Sequence, residues 1–406
     1  MRKVKLGTIT DSCLGKMLDA EKNRGTYQPY LANINVRWGD FELDNLPQMR
    51  FEDDEQERYG IVKGDLIVCE GGEPGRCAIW DGSIPNMKIQ KALHRVRAHQ
   101  GIDIRYIYYW MLLAGKKNLL KNYFTGSTIK HLPGDKLKEI LIDVPNYKTQ
   151  TQVADILASI DSLIKHNQMI NDNLQQQLKL MYDYWFTQFD FPDDNGKPYR
   201  SSGGAMVWNE QLKRNIPAGW AADNLYAVAD YINGLACQNY RPDNDEHKLP
   251  VIKITEMHNG ITDSTEFVRD DIPEKYIIEN GDILFSWSAT LETMLWYGGR
   301  GGLNQHIFKV VPKAPKYFAY SQLSSYIINF KAIAEARKTT MGHITTDHME
   351  QSRIAIPPTI VQETFNRQVT PLYEEYANNC KENLRLQALR DWLLPMLMNG
   401  QATIAD

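Results

Sequence analysis

The side chains able to grip a nucleobase fall in polar loops at two comparable places in this chain of 406 residues. Ser127, Thr128, Lys130 and His131 stand in GSTIKHL, while Lys338, Thr339, Thr340, His343 and Thr345 surround MGHITTD. Gln90 with Lys91, and Gln305 with His306, follow short apolar runs; Asn33, Asn35 and Arg37, with Lys253 and Thr255, lie on earlier loops. Asparagine and glutamine can pair with adenine through two hydrogen bonds, arginine and lysine suit guanine, and threonine can bond while touching a thymine methyl. The same residue types also cap turns and helices, so each remains open to a purely structural role.

These residues sit in a sequence that repeats. Leu6 of KVKLGTI matches Leu225 of ADNLYAV, Pro29 matches Pro250, Gly64 of GDLIV matches Gly281 of GDILF, and Trp80 matches Trp296. Gln90 is matched with Gln305 and Ile129 with Ile344, both 215 residues apart, and Pro145 with Pro357, 212 apart. Separations that drift by a few residues are what loop insertions leave in a duplicated domain.

Beyond each proline a long helix is expected. Val153, Leu157, Ile160, Ile164, Leu174, Leu178, Met181 and Trp185 follow the four-then-three rhythm of a coiled-coil seam. Only Asn167 and Asn171 interrupt it. The second seam reads Phe365, Val369, Leu372, Tyr376, Asn379, Asn383, Leu386 and Leu393, so the asparagine pair recurs. Buried asparagines would fix the register of paired helices; water-facing ones would mark two ordinary surface helices. Pro371 and Arg390 break the second seam and predict a shorter or kinked helix. Between the repeats, FDFPDDNGKPYRSSGG has the composition of a connector. The expected layout is a first globular domain over 1–149, a helix over 150–188, a linker over 189–215, a second domain over 216–358 and a helix over 359–406.

Charge and composition narrow the partners. With 43% hydrophobic and 24% charged residues, the chain is that of a protein with packed cores. Its longest apolar run, Tyr106 to Gly115, is about half of a bilayer crossing, and the opening residues do not read as a signal peptide, so a cytoplasmic location is expected. Five cysteines without a C-x-x-C pair indicate neither a disulfide framework nor a zinc site. The net charge is −4. Residues 88–131 nevertheless carry about +8 and residues 303–346 about +5, two basic stretches that suit a polyanion or form solvated helix faces.

Catalytic signatures are missing from the sequence. A DNA methyltransferase needs a cofactor loop and an N/D-P-P-aromatic motif, and IPPT at 356–359 supplies only the prolines. There is no G-x-x-x-x-G-K-[ST] loop, FPDDNGK lacks the later acid of a nuclease site, and HITTDHME fits no common zinc spacing. No metal is expected.

Duplicated units, each closed by a long helix, together with WFTQFDFPDDNGKPYRSSGG, IPAGW, GSTIKHL and paired GD-[LI]-[IL] segments, resemble the specificity subunit of type I restriction-modification enzymes over nearly the whole chain. The resemblance implies an α+β fold: two duplicated target-recognition domains of mixed sheet and helices, separated by two long antiparallel coiled-coil helices. It implies that each domain reads one half of a bipartite double-stranded DNA target, with Asn167, Asn171, Asn379 and Asn383 setting helix register. It further implies a non-catalytic chain without cofactors of its own. S-adenosylmethionine would belong to two modification subunits; ATP and Mg would belong to two restriction subunits where a cutting arm is present. The second repeat departs from the pattern at HITTD, where threonines replace the basic IKHL form. A stand-alone duplicated DNA-binding regulator, or a self-contained restriction or modification enzyme, would share some of these features.

Overall fold

Leu66–Cys69 and Ile283–Ser286, the runs that follow the two Gly-Asp turns, are central strands buried along their whole length because both faces are packed. Leu66 and Val68 enter one apolar cluster and Ile67 and Cys69 another; Ile283 and Phe285 are likewise divided from Leu284. In the computed structural model, which describes residues 2–17, 19, 23–243, 247–262, 264–336 and 344–402, the chain forms two compact units. The first comprises Met1–Ile164 with Leu386–Asp406, and the second Lys165–Arg385.

The first unit holds a four-stranded antiparallel sheet ordered Thr10–Leu14, Leu93–Ala98, Leu66–Cys69, Cys77–Ile79. A second sheet pairs Gln48–Phe51 antiparallel and Lys88–Ile89 parallel to the strand Thr26–Leu31. The strand Arg2–Lys5 pairs with Leu141–Val144. The helix Ile104–Lys116 starts at Asp103, whose carboxylate accepts the Arg105 amide, and it buries Tyr106, Ile107 and Met111 against the sheet.

Strand order is the same in the second unit: Ala229–Asn233, Ile307–Pro312, Ile283–Ser286, Glu292–Leu295. Its smaller sheet runs Phe267–Arg269, Lys248–Ile252, Gly301–Leu303, Ile277–Ile278, and the strand Ala221–Asp223 pairs with Ile354–Ile356. Phe318 and Leu323 of the helix Lys316–Ala336 are buried where Tyr106 and Met111 are in the first unit. The architecture is α+β, built twice.

Backbone hydrogen bonds correct the repeat register at two places. Gln90 N donates to Leu31 O, and Gly15 N to Leu93 O; in the second unit Asn304 N donates to Ile252 O, and Gly234 N to Ile307 O. Gln90 therefore corresponds to Asn304, and Gln305 to Lys91. Likewise Leu132 N donates to Glu70 O, and Ile344 N to Trp287 O. The partner of Ile344 is thus the buried Leu132; Ile129 is exposed. Matching letters misled the comparison, because a loop constrains the backbone exit and not the neighbouring side-chain identities.

The two long helices are Tyr147–Tyr182, continued by a wide turn over Asp183–Thr187, and Thr359–Met398. The second is not shortened as one expectation had it: it spans 40 residues, against 36 in the first before its wide turn, and it runs through Pro371. A proline in a helix interior forfeits one backbone bond, and packing of Phe365, Val369 and Tyr373 on either side holds the helix together. Tyr373 and Leu394 are buried, whereas their expected seam neighbours Leu372 and Leu393 are only partly so. In the second unit Asn167 Nδ2 donates to Asn383 Oδ1 over 2.9 Å and Asn379 Nδ2 to Asn171 Oδ1 over 3.0 Å, so the segments carrying them run antiparallel. In the first unit Ile160 and Ile164 pack with Leu386, and Arg390 pairs with Asp161.

The connector folds onto the second unit. Phe189, Phe191 and Trp220 cluster with Phe186, and Asp190 accepts from both the amide and hydroxyl of Ser201. Hydrogen bonds from Ser201, largest among the causes, hold the Asp190 carboxyl below its usual range.

Candidate nucleic-acid interface

In the first unit, four loops meet beyond one end of the large sheet. The turn after Leu66–Cys69, reading EGGEPGR, is central: Asn33 Nδ2 reaches Gly71 O at 3.4 Å, and Arg76 Nη2 donates to Asn33 O at 2.9 Å. His131 flanks the same turn, its Nδ1 only 3.2 Å from where a Cβ on Gly71 would lie. Gln90 sits behind, its Oε1 accepting the Ala92 amide. Thus Asn33 and His131 are brought together, and Glu70, Gly71 and Arg76 join them. Sequence reasoning missed these last three; the signal for them was a glycine-rich turn after a buried strand.

Other expected residues are committed elsewhere. Asn35 is buried, accepting the Ala32 amide and donating to Glu42 O, which makes it a loop brace. Arg37 donates to Ile34 O and pairs with Glu42. Thr125 and His131 exchange backbone bonds, so Ser127, Thr128 and Lys130 form an exposed hairpin tip, with Lys130 Nζ folded onto Gly126 O. Lys91 is exposed.

The second unit repeats the frame with different side chains. Lys253 N is capped by Glu256, a buried carboxylate that also accepts from Thr265, just as Ala32 is capped by Asn35. Lys253 Nζ pairs with Glu266, and Thr255 is exposed. The turn here starts at Trp287, whose ring lies 5.8 Å from that of His306 and whose Nε1 donates to Asn233 Oδ1 at 3.1 Å. Gln305 Nε2 and His306 Nε2 are 3.3 Å apart. Thr345 caps the helix Thr346–Glu350, its amide donating to His348 Nδ1. Lys338, Thr339, Thr340 and His343 lie outside the described residues.

The basic stretches do not form two uniform surfaces, because much of their charge is paired with carboxylates or carbonyls of the same unit. Arg95 donates to three carbonyls, Arg97 pairs with Asp65, Arg105 with Asp103 and Asp155, and Lys116 with Asp391. Lys88 is buried, and desolvation lowers its pKa. In the second unit Lys309 pairs with Asp282 and Lys313 with Asp230. Lys91, Lys116, Lys117, Lys121 and Lys130 stay exposed in the first stretch, and Lys313 and Lys331 in the second, Lys116 and Lys313 with their carboxylate partners.

A twice-built frame that presents different loops is a scaffold for two related recognition tasks. The family described as type I restriction modification DNA specificity domain matches residues 3–176 and again 217–386. The chain belongs to this DNA-specificity family. It is 24% identical over 365 residues to the type I restriction enzyme MjaIX specificity subunit of Methanocaldococcus jannaschii, covering 85% of this chain and 79% of the relative. It is also 22% identical over 410 residues to the HindI specificity subunit of Haemophilus influenzae, covering 85% and 88%. A solved type I restriction-modification S subunit from M. genitalium shares the fold, with a TM-score of 0.54 at 15% identity over 98% of this chain and 95% of that one.

For a specificity protein the loop chemistry matters more than any reactive group. Among the described residues no three His, Cys, Asp or Glu side chains gather as a metal site, and no helix is long and apolar enough to cross a membrane. The described cysteines are free thiols, and burial pushes Cys77 and Cys237 upward, Cys237 to about 11.

Proposed function

We propose that each unit reads one half of a bipartite DNA sequence and that the chain acts within a type I restriction-modification complex as its non-catalytic specificity subunit. The observation that carries this reading is the repeated sheet, whose strand order and loop hydrogen bonds recur while the loop side chains change. Asn33, Gln90, Lys91, Ser127, Thr128, Lys130 and His131 serve the first half-site. Lys253, Thr255, Gln305, His306, Lys338, Thr339, Thr340, His343 and Thr345 serve the second. Phosphate contacts from the exposed lysines supply affinity, and base edges in the major groove supply sequence.

In the same reading the two long helices act as a coiled-coil spacer that fixes how many unread base pairs separate the half-sites. Their outer faces carry exposed Leu163, Met169, Leu180, Leu384 and Trp392, apolar surface of the kind that docks partner helices. Two modification subunits bring S-adenosylmethionine, and two restriction subunits, where present, bring ATP and Mg; the complex works in the cytoplasm.

The test is methylome sequencing of cells expressing the chain with its methyltransferase partner. Inserting four residues into one helix outside the asparagine pairs adds about 6 Å, and the expected result is a changed spacer between unchanged half-sites. Altered half-site bases with an unchanged spacer would contradict the spacer role. Methylation by the purified chain alone would overturn the non-catalytic assignment.

A further inference from the structure

One position has the same backbone setting in both units and opposite chemistry. Glu70 N donates to Ala92 O and Trp287 N to His306 O; Glu70 O accepts from Leu132 N and Trp287 O from Ile344 N. Two residues on, the backbone is left-handed in both, at Gly72 with φ 78° and at Ala289 with φ 57°. Alanine enters that region only at a cost, so the turn geometry is kept even where the glycine is not. Position 70 in the first unit is therefore position 287 in the second.

The surroundings are those of a recognition loop. In the first unit the turn carries Asn33 and His131 at its sides. The Glu70 side chain retains 19% exposure, yet its Oε2 is buried and accepts no hydrogen bond among the described residues. His94 Nε2 lies 4.0 Å from that oxygen, but donates its hydrogen to Leu132 O at 3.0 Å. The carboxylate thus lacks a donor on its buried oxygen among the described residues, and the part of the side chain that stays exposed leaves it open to a donor arriving from outside. At the same place in the second unit stands Trp287, half-buried, with His306 and Phe308 rings 5.8 Å and 6.0 Å away. It offers an apolar face where the first unit offers an acceptor.

The geometry points to residues 70 and 287 as specificity-determining residues, one for each half-site. Glu70 accepts a hydrogen bond from the exocyclic amino group of a cytosine, the base edge that suits a carboxylate. Trp287, lacking an acceptor there, packs against a thymine methyl. This inference rests on the two-half-site reading above and adds the residue that distinguishes the halves.

The experiment uses the chain in complex with its methyltransferase partner and reads methylated motifs across a genome for wild type, Glu70→Gln, Glu70→Ala, Trp287→Phe and Trp287→Ala. A bipartite wild-type motif supports the general reading; its absence overturns that reading and this inference together. Given a bipartite motif, the Glu70 variants are expected to relax one base pair in one half by about five-fold or more, and the Trp287→Ala variant one in the other half. Unchanged motifs in both Glu70 variants, or changes from Glu70 and Trp287 falling in the same half, overturn the inference while leaving the bipartite reading standing. Where Glu70→Ala abolishes methylation, the near-isosteric Glu70→Gln decides by the same criterion. Trp287→Phe, smaller but still an apolar ring, is expected to keep the base preference of its half-site, and a relaxed motif there would count against the apolar contact.

Discussion

Asn171 and Asn379 face each other across the two long helices, with Asn379 Nδ2 donating to Asn171 Oδ1 over 3.0 Å while Asn171 Nδ2 turns toward Cys380 Sγ at 3.4 Å. Both side chains are buried, so each amide depends on its partner. Asn379→Ala leaves the Asn171 oxygen unpaired and is expected to cost about 1–3 kcal/mol. Replacing both with leucine removes the unmet demand and is expected to recover most of that loss. Urea unfolding checks it: a double variant as unstable as the sum of the single variants would rule out the pairing argument.

A second contrast separates the ways in which each unit fastens its large helix. Arg390 Nη1 lies 2.8 Å from Asp161, which also accepts from Tyr109 Oη at 2.7 Å, while Lys116 holds Asp391 at 2.6 Å. At the corresponding positions of the second unit Tyr373 stacks on Tyr317 with centroids 4.2 Å apart and meets the Ser321 hydroxyl at 3.1 Å. Asp161→Ala leaves the mostly buried Arg390 guanidinium with Asp391 alone, 3.2 Å from its Nε, and is expected to cost on the order of 2 kcal/mol, against about 1 kcal/mol for Tyr373→Phe. Hydrogen exchange should show protection falling over 104–116 for the first variant and much less over 316–330 for the second.

Much of this frame was legible in the sequence. The duplication, the helices and the asparagine quartet follow from periodicity and from residue types that have few other uses in a seam. The loop register was less legible. Gln90 and Gln305 share a letter, yet Asn304 takes the place of Gln90 because its amide reaches Ile252 O as that of Gln90 reaches Leu31 O. Charge was misleading for a related reason. Arg97 and Asp65, or Lys116 and Asp391, are far apart in sequence and meet only in the fold, so counting cations along a stretch overstates the surface they leave.

Close backbone approach at Gly15 gives a prediction that joins fold to site. A Cβ there would stand 2.4 Å from Gln90 O, and one on Gly234 would stand 2.1 Å from Asn304 O. Backbone cannot yield as a flexible side chain does, so Gly15→Ala must push the Gln90 loop away, at about 1–3 kcal/mol. Thermal unfolding is expected to show the loss, and motif sequencing an effect confined to the half-site that the Glu70 variants alter. Full stability in Gly15→Ala would contradict the close packing.

His94 couples the same loops to pH. Its ring is buried beneath the turn, with Nε2 donating to Leu132 O. Burial, the largest cause, lowers its pKa, opposed by the Leu132 carbonyl and by Glu70 and reinforced by Lys138. The unfolded chain takes up this proton near pH 6.5, whereas the folded unit resists it. The contribution is therefore present above about pH 6.5 and is lost progressively as pH falls toward the lower folded value, since the unfolded state then binds more protons. Denaturant midpoints of the first unit's transition should drop between pH 7.5 and 5.5. In His94→Gln, which cannot take up a proton there, that part of the drop should vanish even though the variant is less stable throughout. An equal pH dependence in both proteins would place the effect on other groups.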